Sequence, residues 1–283
     1  MSILSAHRPR PSAASVAIGR RAVAALHAEL ALYPKPGLVS PMDSGAHSDM
    51  DATTFLRSLF ALRHYFVAIA AAGEAGMPFE ALRQLGVAAE RRMLAATGGI
   101  NTHRGAIFCL GLLAAAAGWR QRRGLILTGD SLAETVVTLW GDGIAASGSQ
   151  SPDSNGSRAT RRYGARSARD EALEGFPTLM GVAVPELEIA QARLGCPERA
   201  RLQALFAVMA DLEDTNLLHR GGPEGLRFVQ TEARRFLDHG GVFTPHWRTF
   251  ALGLHRACIA RNLSPGGAAD TLAAACFVQS LRS

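Results

Sequence analysis

Apolar residues recur at helical spacing along nearly the whole chain. Val23, Leu26 and Leu30 form one stripe; Phe55, Leu59, Leu62, Phe66 and Ile69 form a second; Leu202, Leu205, Phe206, Met209 and Leu212 form a third. Steps of three and four residues put these side chains on one face of a helix, whereas the alternation of a half-buried strand is nearly absent. The pattern predicts an all-α protein of roughly ten helices. No heptad is sustained and no segment repeats, so the expected architecture is a single multi-helix globular bundle rather than a coiled coil or a solenoid. Gly124 to Thr128 reads as the entry to a helix over Ser131 to Ala145 rather than as a strand. Helical periodicity begins near Ser15, which predicts a flexible N-terminus over 1–14 and one catalytic domain over 15–283. A Ser/Gly/Asn-rich stretch is expected to form a flexible loop at about 148–166 between helical halves.

Hydrophobic residues make up 48% of the 283 positions, enough for a sizeable core. The longest apolar run, Ala106 to Trp119, is shorter than a membrane span, and no apolar segment follows the N-terminal arginines. A cytoplasmic protein without a membrane partner is the expectation. Cys109, Cys196, Cys258 and Cys276 lack paired spacing, which fits reduced buried thiols better than zinc or disulfides. The net charge of +6 suits a polyanionic partner. Aromatics are only 6% and the arginines are dispersed, densest from Arg158 to Arg169, which favours a polyphosphate nucleotide over nucleic acid.

Candidate chemistry concentrates in five polar loops: Pro34 to Asp51, Gly98 to Gly105, Arg162 to Pro177, Asp211 to Gly225 and Asn262 to Asp270. Lys35 is the only lysine in the chain and stands between two prolines, so a stiff loop aims it. Ser48 and Asp51 fit a capping box for the next helix, which leaves His47 and Asp49 unexplained. Glu90 shares a stripe with Leu82, Leu85 and Met93; an inward carboxylate needs a partner, either a distant arginine or a metal or substrate. The glycines of Gly98 to Gly105, with His103 and Arg104, read as an anion seat before the helix near Ala106. Asp211, Glu213 and Asp214 read as the last turn of a helix from Pro197, against the macrodipole; Arg220 or a divalent ion would compensate. Ser264 and Pro265 look like ordinary helix-start signals, whereas Gly266 and Gly267 suggest close backbone approach by a ligand.

Taken together, Pro34-Lys35-Pro36-Gly37-Leu38-Val39, Gly99-Ile100-Asn101-Thr102-His103-Arg104-Gly105, Asp214-Thr215-Asn216 with His219-Arg220-Gly221-Gly222, and Ser264-Pro265-Gly266-Gly267 with Ala269-Asp270 closely resemble the triphosphoribosyl-dephospho-coenzyme A synthases. The resemblance runs from about Ala25 to Leu281, and the wording from Leu32 to Pro41 looks like the malonate decarboxylase branch rather than the citrate lyase branch. Two departures, Ser154-Asn155-Gly156 for an expected Ser-His-Gly and Ser167 for a glycine, leave the role of the 148–169 loop open.

The resemblance implies transfer of the triphosphoribosyl group of ATP to the 2′-hydroxyl of 3′-dephospho-coenzyme A with loss of adenine. A downstream transferase and an acyl carrier protein would follow. Inversion at the sugar carbon is implied, with no covalent sugar intermediate. On that reading Lys35, His47, Asn101, His103, Arg104, His219 and Arg220, with the amides of Gly266 and Gly267, seat the substrates. Mg²⁺ bridges the triphosphate to carboxylates among Asp49, Asp51 and Glu90. Asp214, assisted by Asn216, is the expected base or sugar-facing carboxylate, with Asp270 as the alternate. The rival is an all-helical metal-dependent hydrolase of nucleotides or ADP-ribose; a homodimer stays open.

Overall fold

The computed structural model describes residues 11–147 and 155–282, and every regular element among them is helical. The order is α1 (Ala13–Leu30), α2 (Ala52–Glu74), α3 (Phe79–Thr97), α4 (Arg104–Arg122), α5 (Gly129–Ala146), α6 (Asn155–Tyr163) and α7 (Ala168–Leu173), followed by a π-turn at Leu179–Ala183. Then come α8 (Val184–Leu194), α9 (Pro197–Asp211), α10 (Thr215–Asp238), a 3₁₀ turn at Gly241–Phe243, α11 (Trp247–Ala260) and α12 (Gly266–Leu281). Three boundaries differ from the sequence expectation. Ser12 and Ser15 cap each other reciprocally, so α1 begins at Ala13, inside the stretch expected to be flexible. The described part of the expected loop at 148–166 contains α6, whose Ala159 packs with Ala165 and Leu218. Residues 1–10 and 148–154 of those two expectations lie outside the described residues. Asp51 caps α2 with Thr54 as its reciprocal partner, so the predicted Ser48–Asp51 box is displaced by three residues.

Small residues let the central helices touch backbone to backbone. Ala114 to Ala117 of α4 are fully buried, and a Cβ on Gly73 of α2 would fall 1.9 Å from the Ala115 carbonyl oxygen. A Cβ on Gly118 would fall 2.2 Å from the Ala70 carbonyl oxygen, and one on Gly19 of α1 would fall 2.5 Å from Val67 Cγ2. These approaches exclude any larger side chain. By length and composition α2 could cross a membrane, but 50% of its apolar window is buried against its neighbours, as in a core helix.

The same packing brings the starts of α4, α10 and α12 to the end of α1. Asp270 at the start of α12 lies against Gly105 at the start of α4, and Asp214 at the start of α10 bonds to α12. Within α10 the helix breaks at Gly222 (φ 61°, ψ −165°), and Pro223 opens its second part. Glycine is needed there because that φ is rarely adopted by L side chains. The break accounts for Gly222 of the His219-Arg220-Gly221-Gly222 segment.

Candidate functional site

Residues 264–270 touch three of the other motif segments, Pro34 to Asp51, Gly98 to Gly105 and Asp211 to Gly225. Ser264 Oγ lies 2.9 Å from His47 Nε2. A Cβ on Gly266 would fall 2.8 Å from Asn216 Nδ2, and one on Gly267 would fall 3.0 Å from Asp214 Oδ2. The Ala268 amide donates to Asp214 Oδ2 at 3.0 Å. Asp270 presses against the first turn of α4, where a Cβ on Gly105 would fall 2.1 Å from its Oδ2, and it accepts from the Ala106 amide. The Gly-Gly pair thus admits this protein's own Asp214 and Asn216. Pro265 rather than Ser264 occupies the cap position of α12, which has no cap from its own sequence; Asp214 supplies it.

Asp214 is 2% exposed and caps two helices with one carboxylate. Its Oδ1 accepts from the amides of Asn216 (2.8 Å) and Leu217 (3.3 Å) at the start of α10. Burial raises its pKa, and the amides of Ala268, Asn216, Leu217 and Gly267 oppose that rise. The expected clash with a helix C-terminus does not occur, because α9 ends at Asp211 and Asp214 stands at a helix start, where the dipole favours it. The end of α9 is instead served by Arg234, which donates to the Ala210 carbonyl at 2.6 Å, and by Gln230, which donates to Leu212 at 3.2 Å.

Lys35 is 1% exposed, and its ammonium donates to the Glu29 carbonyl at 2.8 Å and to Glu29 Oε1 at 2.5 Å. Burial lowers its pKa, and the Glu29 carboxylate pulls the other way. His255 pins the lysine loop from α11: Nδ1 lies 2.7 Å from the Lys35 carbonyl oxygen and 3.2 Å from the Gly37 amide, and Nε2 lies 3.1 Å from Asp43 Oδ2. His103 is 3% exposed, with Nδ1 2.7 Å from Ser58 Oγ and its ring edge-on to Phe55 at 5.0 Å. Burial, then the Lys35 charge, lower its pKa to about 3, so the ring is neutral at pH 7. Its buried Nε2 has no partner among the described residues.

At the edge of this junction Arg104 pairs with Glu90, the distant-arginine outcome for that inward carboxylate. Arg104 Nε is buried without a hydrogen-bond partner, and the Arg104 amide donates to Asn101 Oδ1 at 3.1 Å. Gly98 and Gly99, at φ 69° and 91°, terminate α3. Asn101 and Asp270 sit at the start of α4. On the other side Arg220 donates to the Ala46 carbonyl at 2.9 Å and acts on His47, whose pKa is lowered by burial first and then by Arg220. Exposed Asp49 lies 3.6 Å from His47 Nδ1. His219 is exposed beside Arg220. Asp51 is exposed and committed to its helix cap.

The three carboxylates expected to hold Mg²⁺ therefore have separate occupations. Among the described residues no three His, Cys, Asp or Glu side chains converge as a metal site. The set does not fit a resident metal. A groove of about 480 Å³ on the outer face of α2, lined by Leu56, Arg57, Phe60 and Ala96, contains none of the junction residues.

Glu29, Ser58 and His255 escaped the motif reading. Glu29 carried a usable signal: it falls three residues after Leu26 and one before Leu30, on the apolar stripe of α1, as Glu90 does on α3. Ser58 and His255 sit within helices with no such mark.

The model of the family "ATP:dephospho-CoA triphosphoribosyl transferase" matches residues 15–283. A probable 2-(5''-triphosphoribosyl)-3'-dephosphocoenzyme-A synthase of Azotobacter vinelandii is 43% identical over 291 aligned residues, covering 99% of this chain and 96% of the relative. One from Acinetobacter calcoaceticus, also termed probable, is 39% identical, covering 90% and 87%. The 2-(5''-triphosphoribosyl)-3'-dephosphocoenzyme-A synthase of Pectobacterium atrosepticum is 40% identical, covering 96% and 91%. No solved structure matches.

Proposed function

The chain belongs to the ATP:dephospho-CoA triphosphoribosyl transferase family, and from that premise we propose that it transfers the triphosphoribosyl group of ATP to the 2′-hydroxyl of 3′-dephospho-coenzyme A with release of adenine. We further propose that it works in the cytoplasm and serves malonate decarboxylase, the branch its Leu32 to Pro41 wording resembles, ahead of a downstream transferase and an acyl carrier protein.

The reaction breaks C1′–N9, leaving the electron pair on adenine, which gains a proton. It forms C1′–O2′, and the hydroxyl loses a proton. Positive charge builds at the sugar carbon, which a nearby carboxylate stabilises. Asp270 is the better candidate for that role: it is partly open and accepts from the Ala106 amide, whereas Asp214 is buried and spent on helix caps. Asp214 and Asn216 then hold the α10 and α12 starts in place. The triphosphate falls to the cationic and donor groups at the edges, Arg104 with Asn101 on one side and Arg220, His47 and His219 on the other. Lys35 acts from inside through Glu29 rather than by touching phosphate, and neutral His103 offers its unpartnered Nε2 as a hydrogen-bonding group. Mg²⁺ enters as part of the MgATP substrate, held by phosphate oxygens and water, as that ion prefers.

The observation that carries the reading is the meeting of Asp214, Asn216, His47 and Gly105 on one seven-residue stretch, 264–270, in a chain matched over nearly its full length. The test is product analysis from MgATP plus dephospho-coenzyme A, with each omitted in turn. Adenine appearing only with both supports transfer; inorganic phosphate or free ribose triphosphate without the acceptor means hydrolysis.

A further inference from the structure

Three consecutive residues at the start of α4, Thr102, His103 and Arg104, each hold a buried side-chain atom without a hydrogen-bond partner among the described residues: Oγ1, Nε2 and Nε. Native proteins leave few such atoms, so three in a row call for a cause. Two amides of the first turn of α4 are already engaged, that of Arg104 by Asn101 and that of Ala106 by Asp270, so a ligand arriving at this helix start meets side-chain donors. The row opens toward the surface at Arg104, whose side chain is 33% exposed, and a Cβ on Gly98 or Gly99 would meet nothing within 4 Å.

What His103 offers there is decided on α2. Ser58 is fully buried, and among the described residues its hydroxyl has one partner, His103 Nδ1 at 2.7 Å. A neutral ring allows two arrangements of that contact. If Nδ1 carries the proton and donates to Ser58, the hydroxyl proton is stranded at a position closed to solvent and Nε2 is an acceptor. If Ser58 donates to Nδ1, the ring proton sits on Nε2, and the donor left over is Nε2–H, in line with Thr102 and Arg104. A buried donor without an acceptor is costly, and only in the second arrangement does an incoming acceptor satisfy both donors. The oxygens of an ionised triphosphate accept and do not donate, and a helix start favours negative charge, so a triphosphate fits the second arrangement alone.

Resting on the transfer reading above, we propose that Ser58 is a positioning residue: its hydroxyl donates to His103 Nδ1 and thereby fixes the neutral ring with Nε2–H as a donor to an oxygen of the ATP triphosphate, alongside Thr102 Oγ1 and Arg104. Phe55, edge-on to the ring at 5.0 Å, holds its plane from the same helix. A neutral donor places no second positive charge in the region of buried Lys35, whose charge bears on this ring.

The experiment records ring ¹⁵N shifts of histidine-labelled protein at neutral pH, with His103 assigned by the signal that His103→Gln removes, during titration with MgATP, inorganic triphosphate or adenosine. Wild type is expected to show an unprotonated Nδ1 and a protonated Nε2. The Nε2–H signal is expected to move with MgATP and with inorganic triphosphate, and to stay in place with adenosine. Ser58→Ala is expected to lose the single tautomer and to bind MgATP about threefold or more weakly. In the His103→Gln background, where no tautomer remains to be set, the same substitution is expected to cost MgATP affinity little. The wild-type readings stand even if Ser58→Ala fails to fold. A protonated Nδ1 in wild type, an Nε2–H signal that answers adenosine and not triphosphate, or equal affinity losses from Ser58→Ala in the two backgrounds overturns the assignment. Wild type that shows this tautomer and this response to triphosphate, yet forms no adenine from MgATP and dephospho-coenzyme A, would instead defeat the transfer reading beneath it.

Discussion

Removing the carboxylate of Asp214 leaves the first amides of both α10 and α12 without their acceptor, because one side chain serves the two helices. A lost cap costs about 1 kcal/mol and each stranded buried amide about 1–3 kcal/mol. Asp214→Ala is expected to lower the unfolding free energy by roughly 3–5 kcal/mol in urea titration. Asp214→Asn, which keeps one acceptor oxygen, is expected to lose stability before chemistry. His103 gives a pH signature. Its folded pKa is lowered to about 3 from 6.5, so between those values the unfolded chain takes a proton that the folded one refuses. Stability from this group is present above pH 6.5 and falls as the pH drops. Unfolding titrations should show wild type losing up to about 1.4 kcal/mol per pH unit more than His103→Gln over that window; parallel curves would contradict it. At this scale the sequence was readable where a polar residue broke an apolar stripe, as with Glu90 and its Arg104 partner. The place of Asp214 was not readable, since nothing local shows that α9 stops at Asp211 and that the next carboxylate but one begins a new helix. The lone lysine was conspicuous in the sequence, but its burial onto Glu29 depends on where α1 ends.

Two glycine substitutions separate the helices that make the fold from the helix ends that make the site. Gly73→Ala would drive a methyl into the Ala115 carbonyl of α4, 1.9 Å away, and a backbone inside a packed core cannot yield. Overpacking of this kind costs about 1–3 kcal/mol or more, so a drop in melting temperature or failure to fold is expected. Gly105→Ala meets instead the carboxylate end of Asp270 at 2.1 Å, a side chain able to rotate away. Circular dichroism and melting should stay near wild type while adenine release falls at least about tenfold, since small misplacements of a reacting group are costly. Equal losses of stability in the two variants would contradict the division. The helices were legible from the period of their apolar residues. The break in α10 was not, because His219-Arg220-Gly221-Gly222 reads equally well as a loop or a ligand motif until Gly222 is seen at positive φ. Nor was α6, whose arginine-rich sequence has little apolar periodicity and packs through Ala159 against Leu218 of a distant helix.

For the whole molecule, the all-helical class and the convergence of separated loops follow from the sequence, while the division of labour among them does not. Motif segments expected to reach toward ligands partly face one another: Gly266 and Gly267 admit Asn216 and Asp214, and Gly105 admits Asp270. Phosphate-binding groups are thereby left to the edges and acidic groups to the junction, an arrangement suited to a nucleotide whose charged tail and reacting sugar lie apart. The most direct measurement is adenine formed per enzyme from MgATP by wild type and by Asp270→Asn, with and without dephospho-coenzyme A. Adenine from wild type only when the acceptor is present, and a loss of roughly 100-fold or more in the folded variant, is the predicted result. Wild-type adenine yield from the variant, or phosphate in place of adenine from wild type, would contradict the account.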